Sequence, residues 1–97
     1  MYKLINFQEA NDGKHKFISS VLNTTTGKIK NIKFGSYGMS DYTQHKNDAM
    51  KMNYINRHKA RENWNNPLSA GFWSRWILWN KKDLNDSLIY TINRFYL

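Results

Sequence analysis

NDGKHKFISSVLNTTTGKIKNIKF, residues 11–34, is the stretch whose reading decides the fold. It opens on Asn11-Asp12-Gly13-Lys14, and Asp-Gly is a strong hairpin-turn signal because both residues tolerate the positive φ such turns demand. His15 to Asn23 follows, rich in Phe17, Ile18, Val21 and Leu22. Thr24-Thr25-Thr26-Gly27 makes a second turn. Lys28-Ile29-Lys30 then alternates, and so does Ile32-Lys33-Phe34, but the two alternations are out of phase across Asn31, which predicts a β-bulge there. Upstream, Tyr2, Leu4 and Phe7 lie close to an alternating pattern. The expected unit is a three-stranded antiparallel meander over about 2–34, with helices covering one face.

Gly35-Ser36-Tyr37-Gly38 ends the meander as a tight turn in which glycine supplies positive φ. From Asp41 or Asp48 onward the periodicity is helical. Met50, Tyr54 and His58 recur at i, i+4, i+8 with Ile55 beside them, predicting a helix over 47–61 capped by Asn47 or Asp48 and stopped by Asn63, Asn65, Asn66 and Pro67. A second helix is expected over 69–79 with Ser69 as N-cap. A third is expected over 83–95, with Asp83 as cap, Asp86 in its first turn, and Leu84, Leu88, Ile92 and Phe95 on one face. There are no repeats and no linker. The reading is a single α+β domain over 1–97.

Composition agrees. A chain this short buries only roughly 60–70% of its unfolded surface, so its 15% aromatic content gives a small core most of its apolar area. A hydrophobic share of 40% against 23% charged residues fits a folded globule. Cysteine is absent, which excludes disulfides, thiolate metal sites and a cysteine nucleophile. The N-terminus lacks the apolar core of a signal peptide, and no run approaches the ~20 apolar residues that span a bilayer. The expectation is a chain that is not secreted and not inserted in a membrane.

The net charge is +8 and the pI about 9.8, which points to a polyanionic partner. Between residues 28 and 61 the cations Lys28, Lys30, Lys33, Lys46, Lys51, Arg57, Lys59 and Arg61 are opposed only by Asp41 and Asp48. Lys28 and Lys30 share a strand face, and Arg57 and Arg61 share a helix face. Together they are the candidate phosphate contacts. No known nucleic-acid-binding motif is present, and a solvated polar face is the alternative.

All four tryptophans fall between Arg61 and Lys82. Phe72, Trp76 and Trp79 form one stripe and Trp73 and Ile77 its neighbour, so the apolar arc is wide and most of these rings are expected in the core. Trp64, outside the helix, is expected to be partly exposed. Arg75 has three open destinations: a ring face, a carboxylate such as Glu62 or Asp41, or a phosphate. His45 and His58 with Asp41 could be drawn as a nuclease-like base and orienter, but the spacing matches no metal-ligand pattern, and no cofactor or catalytic residue is assigned.

Three segments carry a resemblance: FGSYGMSDYTQHK (34–46), YINRHKARENWN (54–65) and SAGFWSRWILWNK (69–81). They resemble a small uncharacterised family of nucleocytoplasmic large DNA viruses, of the mimivirus-like and chlorella-virus-like groups, over about Phe34 to Phe95. The resemblance implies a viral setting, with the protein in the virion or in the host cytoplasm at the viral factory, or in the nucleus. It brings no activity and no cofactor. It groups Ser40, Asp41, Thr43, His45, Arg57, His58, Arg61, Glu62 and Arg75 as one polar set, expected either to lock helices to the sheet or to meet a partner. The expected function is a small basic non-enzymatic viral protein that binds nucleic acid. The alternative is a minor capsid or virion component binding an acidic protein.

Overall fold

The structure is a computed structural model and describes residues 1–97. Three strands, β1 (Tyr2–Glu9), β2 (His15–Asn23) and β3 (Ile29–Ser36), form an antiparallel sheet in the order β1-β2-β3. Both turns are built by side chains accepting from backbone amides. The Asp12 carboxylate accepts from Lys14 N at 2.9 Å and His15 N at 2.7 Å. The Asn23 amide oxygen accepts from Thr25 N and Thr26 N, and Gly27 takes the positive φ the reversal requires.

The bulge expected at Asn31 is not there. β2 and β3 pair in unbroken register, with Phe17 opposite Phe34, Ser19 opposite Ile32 and Ser20 opposite Asn31. Ile32 and Phe34 set the inward phase, so Ile29 falls on the outer face and is 58% exposed. The irregularity lies in β1, where Leu4 faces Val21 and Asn6 faces Ser20, leaving Ile5 as the extra residue. That insertion lets Leu4 and Phe7, three apart, both turn inward.

Four helical elements follow. α1 (Tyr42–His45) is capped by Asp41, which accepts from Thr43 N while the Gln44 side chain accepts from Asp41 N. α2 (Asp48–His58) is capped by Asn47 accepting from Met50 N. The chain thus starts a helix at both of the expected places. α2 ends earlier than expected, because the amides of Arg61 and Glu62 both turn back onto the His58 carbonyl. α3 (Ala70–Trp73), capped by Ser69, continues as a π-helical turn over Ser74–Leu78, in which Trp79 N donates to Ser74 O at 3.1 Å. α4 (Leu84–Phe95) is capped by Asp83.

The core joins Val21, Ile32 and Phe34 of the sheet to Phe72, Trp73, Ile77 and Leu78, with Leu97 closing one end. The expected face of α4, Leu84, Leu88, Ile92 and Phe95, packs against this cluster. The fully buried residues of α4 are instead Ser87 and Thr91. Their small hydroxyls allow close approach and are satisfied: Thr91 Oγ1 donates to Ser87 O at 2.7 Å, and Ser87 Oγ accepts from Lys81 N at 3.0 Å. Met50, expected on the inward stripe of α2, is exposed. No helix is long and apolar enough to cross a membrane.

Candidate nucleic-acid interface

The helical layer carries a chain of rings and charges on its flank. Tyr54 of α2 stacks on Trp79 with ring centres 4.6 Å apart and on His58 at 4.3 Å. The His58 Nδ1 meets Glu62 Oε1 at 2.9 Å, and the Trp64 indole N–H donates to Glu62 Oε2 at 2.8 Å. Arg75 lies over Trp76, 4.4 Å from its centre, and over Trp64 at 5.4 Å. Trp76 stacks in turn on Tyr90, and Lys81 lies over Tyr90. Trp64, Trp76 and Trp79 are all half-buried, whereas Trp73 and Phe72 are fully enclosed. The π-turn contributes to this division by advancing more residues per turn than an α-helix.

Arg75 takes the ring destination and no carboxylate. Its Nη1 donates to the Trp79 carbonyl at 2.7 Å, and its buried Nε has no partner in the protein. Burial holds its guanidinium below the ordinary arginine range. Lys51 reaches the next carbonyl, donating to Asn80 O at 2.7 Å, and its ammonium lies over the Tyr42 ring. Burial, then the charges of Arg75 and Lys81, lower its pKa. Two partly buried cations thus close the carboxyl end of the π-turn, where helix carbonyls lack amide partners.

Five of the seven carboxylates are occupied elsewhere, all but the exposed Glu9 and Asp86. Asp41 pairs with Lys16 of β2, which joins α1 to the sheet. Asp12 pairs with His15 and Lys33, Asp48 accepts from the Tyr42 hydroxyl, Glu62 holds His58 and Trp64, and Asp83 caps α4. The hydrogen bond from Tyr42 lowers the Asp48 pKa and raises that of the phenol. Only Lys16 and Lys33, of fifteen Lys and Arg, stand within ion-pair distance of a carboxylate.

The eight expected phosphate contacts divide accordingly. Lys28, Arg57, Lys59 and Arg61 are exposed, and their side chains bond to nothing in the protein. Lys30 crosses to the Leu68 carbonyl, at the end of the loop that carries Lys59 and Arg61. Lys46 turns back to the Thr43 carbonyl, Lys33 stands 3.6 Å from Asp12, and Lys51 is turned inward to Asn80. Lys81, which contributes to the field around Lys51, was not among them; its adjacency arises only when α2 packs beside the Trp79–Asn80 turn.

The polar set suggested by the motifs does not form one network. Asp41 belongs with Lys16 and Gln44; Glu62 belongs with His58 and Trp64. Asp41 bonds to neither histidine. His45 Nδ1 accepts from Asn47 N at 3.0 Å, and its ring leans on Trp79. No group of three or more acidic or histidine side chains gathers as a metal site. A cleft of about 890 Å³ opens between the β1–β2 turn and residues 37–44. Its wall includes the internally paired His15, Lys16 and Asp41.

The chain belongs to a family of unknown function, DUF5754, whose family model matches residues 5–58, from β1 to the end of α2. The match includes every residue lining the cleft and the basic run up to Arg57. Neither the curated proteins nor the solved structures give a match.

Proposed function

We propose that this is a small, basic, non-enzymatic protein that binds nucleic acid through its phosphate backbone. The observation that carries the reading is the distribution of charge: five of the seven carboxylates are consumed in caps and internal pairs, while most cations are left exposed or partly buried without an acidic partner. A phosphate backbone supplies the counter-charge. The exposed Arg57, Lys59 and Arg61, with Lys28 and Lys30, make the first contact surface, and Arg75, Lys51 and Lys81 a second. The aromatic rings act as supports for cations rather than as a base-stacking platform, because Trp76 lies between Arg75 and Tyr90 and Trp79 is stacked on Tyr54 with His45 against it. Recognition is therefore expected to be insensitive to sequence.

The motif resemblance adds a setting in a large DNA virus, where such a protein would be packaged with the genome or act in the host cytoplasm. The test is fluorescence anisotropy with a labelled duplex across a salt series. Affinity should fall steeply, and Arg57→Gln/Lys59→Gln/Arg61→Gln should flatten the log–log slope by about 0.9 per lost contact. Binding that ignores salt, or a triple variant identical to the parent, would overturn the reading. The His58–Glu62 pair has the atoms of a general-base dyad, so the oligonucleotide is also incubated with Mg²⁺ or Mn²⁺. It should remain intact with the parent and with His58→Ala alike.

A further inference from the structure

The sheet has a second face that the core does not use. Val21, Ile32 and Phe34 point toward the core helices, with Leu4, Phe7 and Phe17 beside them. The register then arranges the opposite face in three rows across β1, β2 and β3: Lys3, Leu22, Ile29; Asn6, Ser20, Asn31; and Gln8, Ile18, Lys33. The bulged Ile5 adds to the middle row, and α1 reaches the face only at its end, through Lys16. Ile5 and Ile29 are 49% and 58% exposed, and Ile18 and Leu22 are half-buried. A strand spacing of ~4.8 Å and a rise of ~3.3 Å per residue make this face about 10–15 Å wide and about 13 Å long between its end rows. That is the footprint of two to three turns of a single helix about 10 Å across.

The chemistry of the face selects its occupant. It presents no aromatic ring, so a nucleic acid gains no base stacking there. It presents aliphatic side chains, which gain from contact with other apolar groups. None of its three rows holds a carboxylate, and Lys3 and Lys33 stand at opposite corners. Lys3 contacts the Tyr96 carbonyl and Lys33 lies 3.6 Å from Asp12, yet both remain exposed. A second copy of the chain would bring its own +8 against this one, which opposes face-to-face self-association. The geometry points to an acidic amphipathic helix of another protein as the occupant, its apolar stripe on Ile5, Ile18, Leu22 and Ile29 and its flanking carboxylates on Lys3 and Lys33. This goes beyond nucleic-acid binding: with phosphates on the helical flank, the protein would tether a nucleic acid to an acidic protein.

The experiment is methyl NMR on the full chain, titrated with a synthetic helical peptide of leucines at i, i+3 and i+4 and glutamates elsewhere. A second peptide with lysine at every glutamate and an unlabelled oligonucleotide serve as comparisons. Shifts should centre on the methyls of Ile5, Ile18, Leu22 and Ile29 with the acidic peptide, and those of Ile5 and Ile18 should move with neither comparison. The doubly substituted Ile5→Asn/Ile29→Thr protein should bind it about tenfold more weakly, while retaining parental oligonucleotide affinity. The proposal falls if the acidic peptide leaves these methyls unmoved, or if the lysine peptide moves them equally. It also falls if the oligonucleotide shifts the methyls of Ile5 and Ile18, which lie away from Lys28 and Lys30, or if sedimentation shows a dimer that the double variant dissolves. Because oligonucleotide affinity is read on the same variant, failure here leaves the phosphate-binding reading separately judged.

Discussion

Gly71→Ala tests whether the Glu62 bracket holds the helical layer together. A Cβ built on Gly71 would lie 2.8 Å from Glu62 Oε2 and 2.9 Å from Glu62 Cδ, several tenths of an ångström inside ordinary contact. Glu62 is not a loose surface side chain that can swing away, since one oxygen meets His58 at 2.9 Å and the other holds the Trp64 indole at 2.8 Å. Displacing it stretches at least one bond to a charged acceptor, worth about 1.5–3 kcal/mol. Alanine in a helix offsets up to about 1 kcal/mol through its better propensity. The net expectation is a loss of about 1–2 kcal/mol, read as a lower urea midpoint with unchanged slope. The decisive comparison is the same substitution in a Glu62→Ala background. There the obstruction is gone, and Gly71→Ala should become neutral or stabilising by up to about 1 kcal/mol. An equal cost in both backgrounds would falsify the idea that Gly71 is kept small by Glu62.

Lys51→Met should lower stability by no more than about 1.5 kcal/mol, because the lost bond to the Asn80 carbonyl is offset by relief of a partly buried charge. It should also reduce the salt slope of oligonucleotide binding by about 0.9 if Lys51 meets a phosphate. Deleting Ile5 should be tolerated, since it turns β1 into a regular strand with Leu4 and Phe7 still inward, whereas deleting Asn31 reverses the faces of Ile29 and Lys30 or of Ile32 and Phe34. Thermal melts should show a native-like transition for the first and none for the second. The Asp12 carboxylate is held well below its usual range by the backbone amide of His15, then the His15 ring and the Lys14 amide. A depressed folded-state pKa adds stability that is present above the unfolded value and lost as pH falls through the folded one. The gap between parent and Asp12→Asn in urea midpoint should therefore narrow from about pH 4 downward. Thr91→Val should cost about 1 kcal/mol by denaturation, as the buried hydroxyl loses its donation to Ser87 O.

The elements most legible in the sequence are those fixed by local chemistry. Asp41, Asn47, Ser69 and Asp83 each cap the helix that follows, because a short polar side chain before a helix satisfies an amide that no other residue can reach. Asp12-Gly13 is equally local, and so is the turn at Tyr37-Gly38, although β3 runs through Gly35 to Ser36 before it. The phase of a strand is less so. Ile29 and Ile32 both read as inward, and only the pairing of Phe34 with Phe17, and of Phe34 with Trp73, decides between them. The true bulge at Ile5 is marked in the sequence by Leu4 and Phe7 standing three apart, a spacing that no regular strand places on one face.

The destination of Arg75 was open in the sequence because a guanidinium is satisfied equally by a ring, a carboxylate or a carbonyl. Packing decided it: in the folded protein Glu62 and Asp41 are bound to His58, Trp64 and Lys16. The grouping of Lys51, Arg75 and Lys81 has the same origin, since residues from α2 and from both sides of the Trp79–Asn80 turn meet only after folding. By itself the sequence determined the α+β order, the caps, the turns and the surplus of positive charge, all of which depend on residues close along the chain or on composition. The tertiary structure alone decided which rings are half-buried, which cations lack a carboxylate and which face of the sheet lies open, because each of these is set by competition among groups distant in sequence for the same partners and the same space.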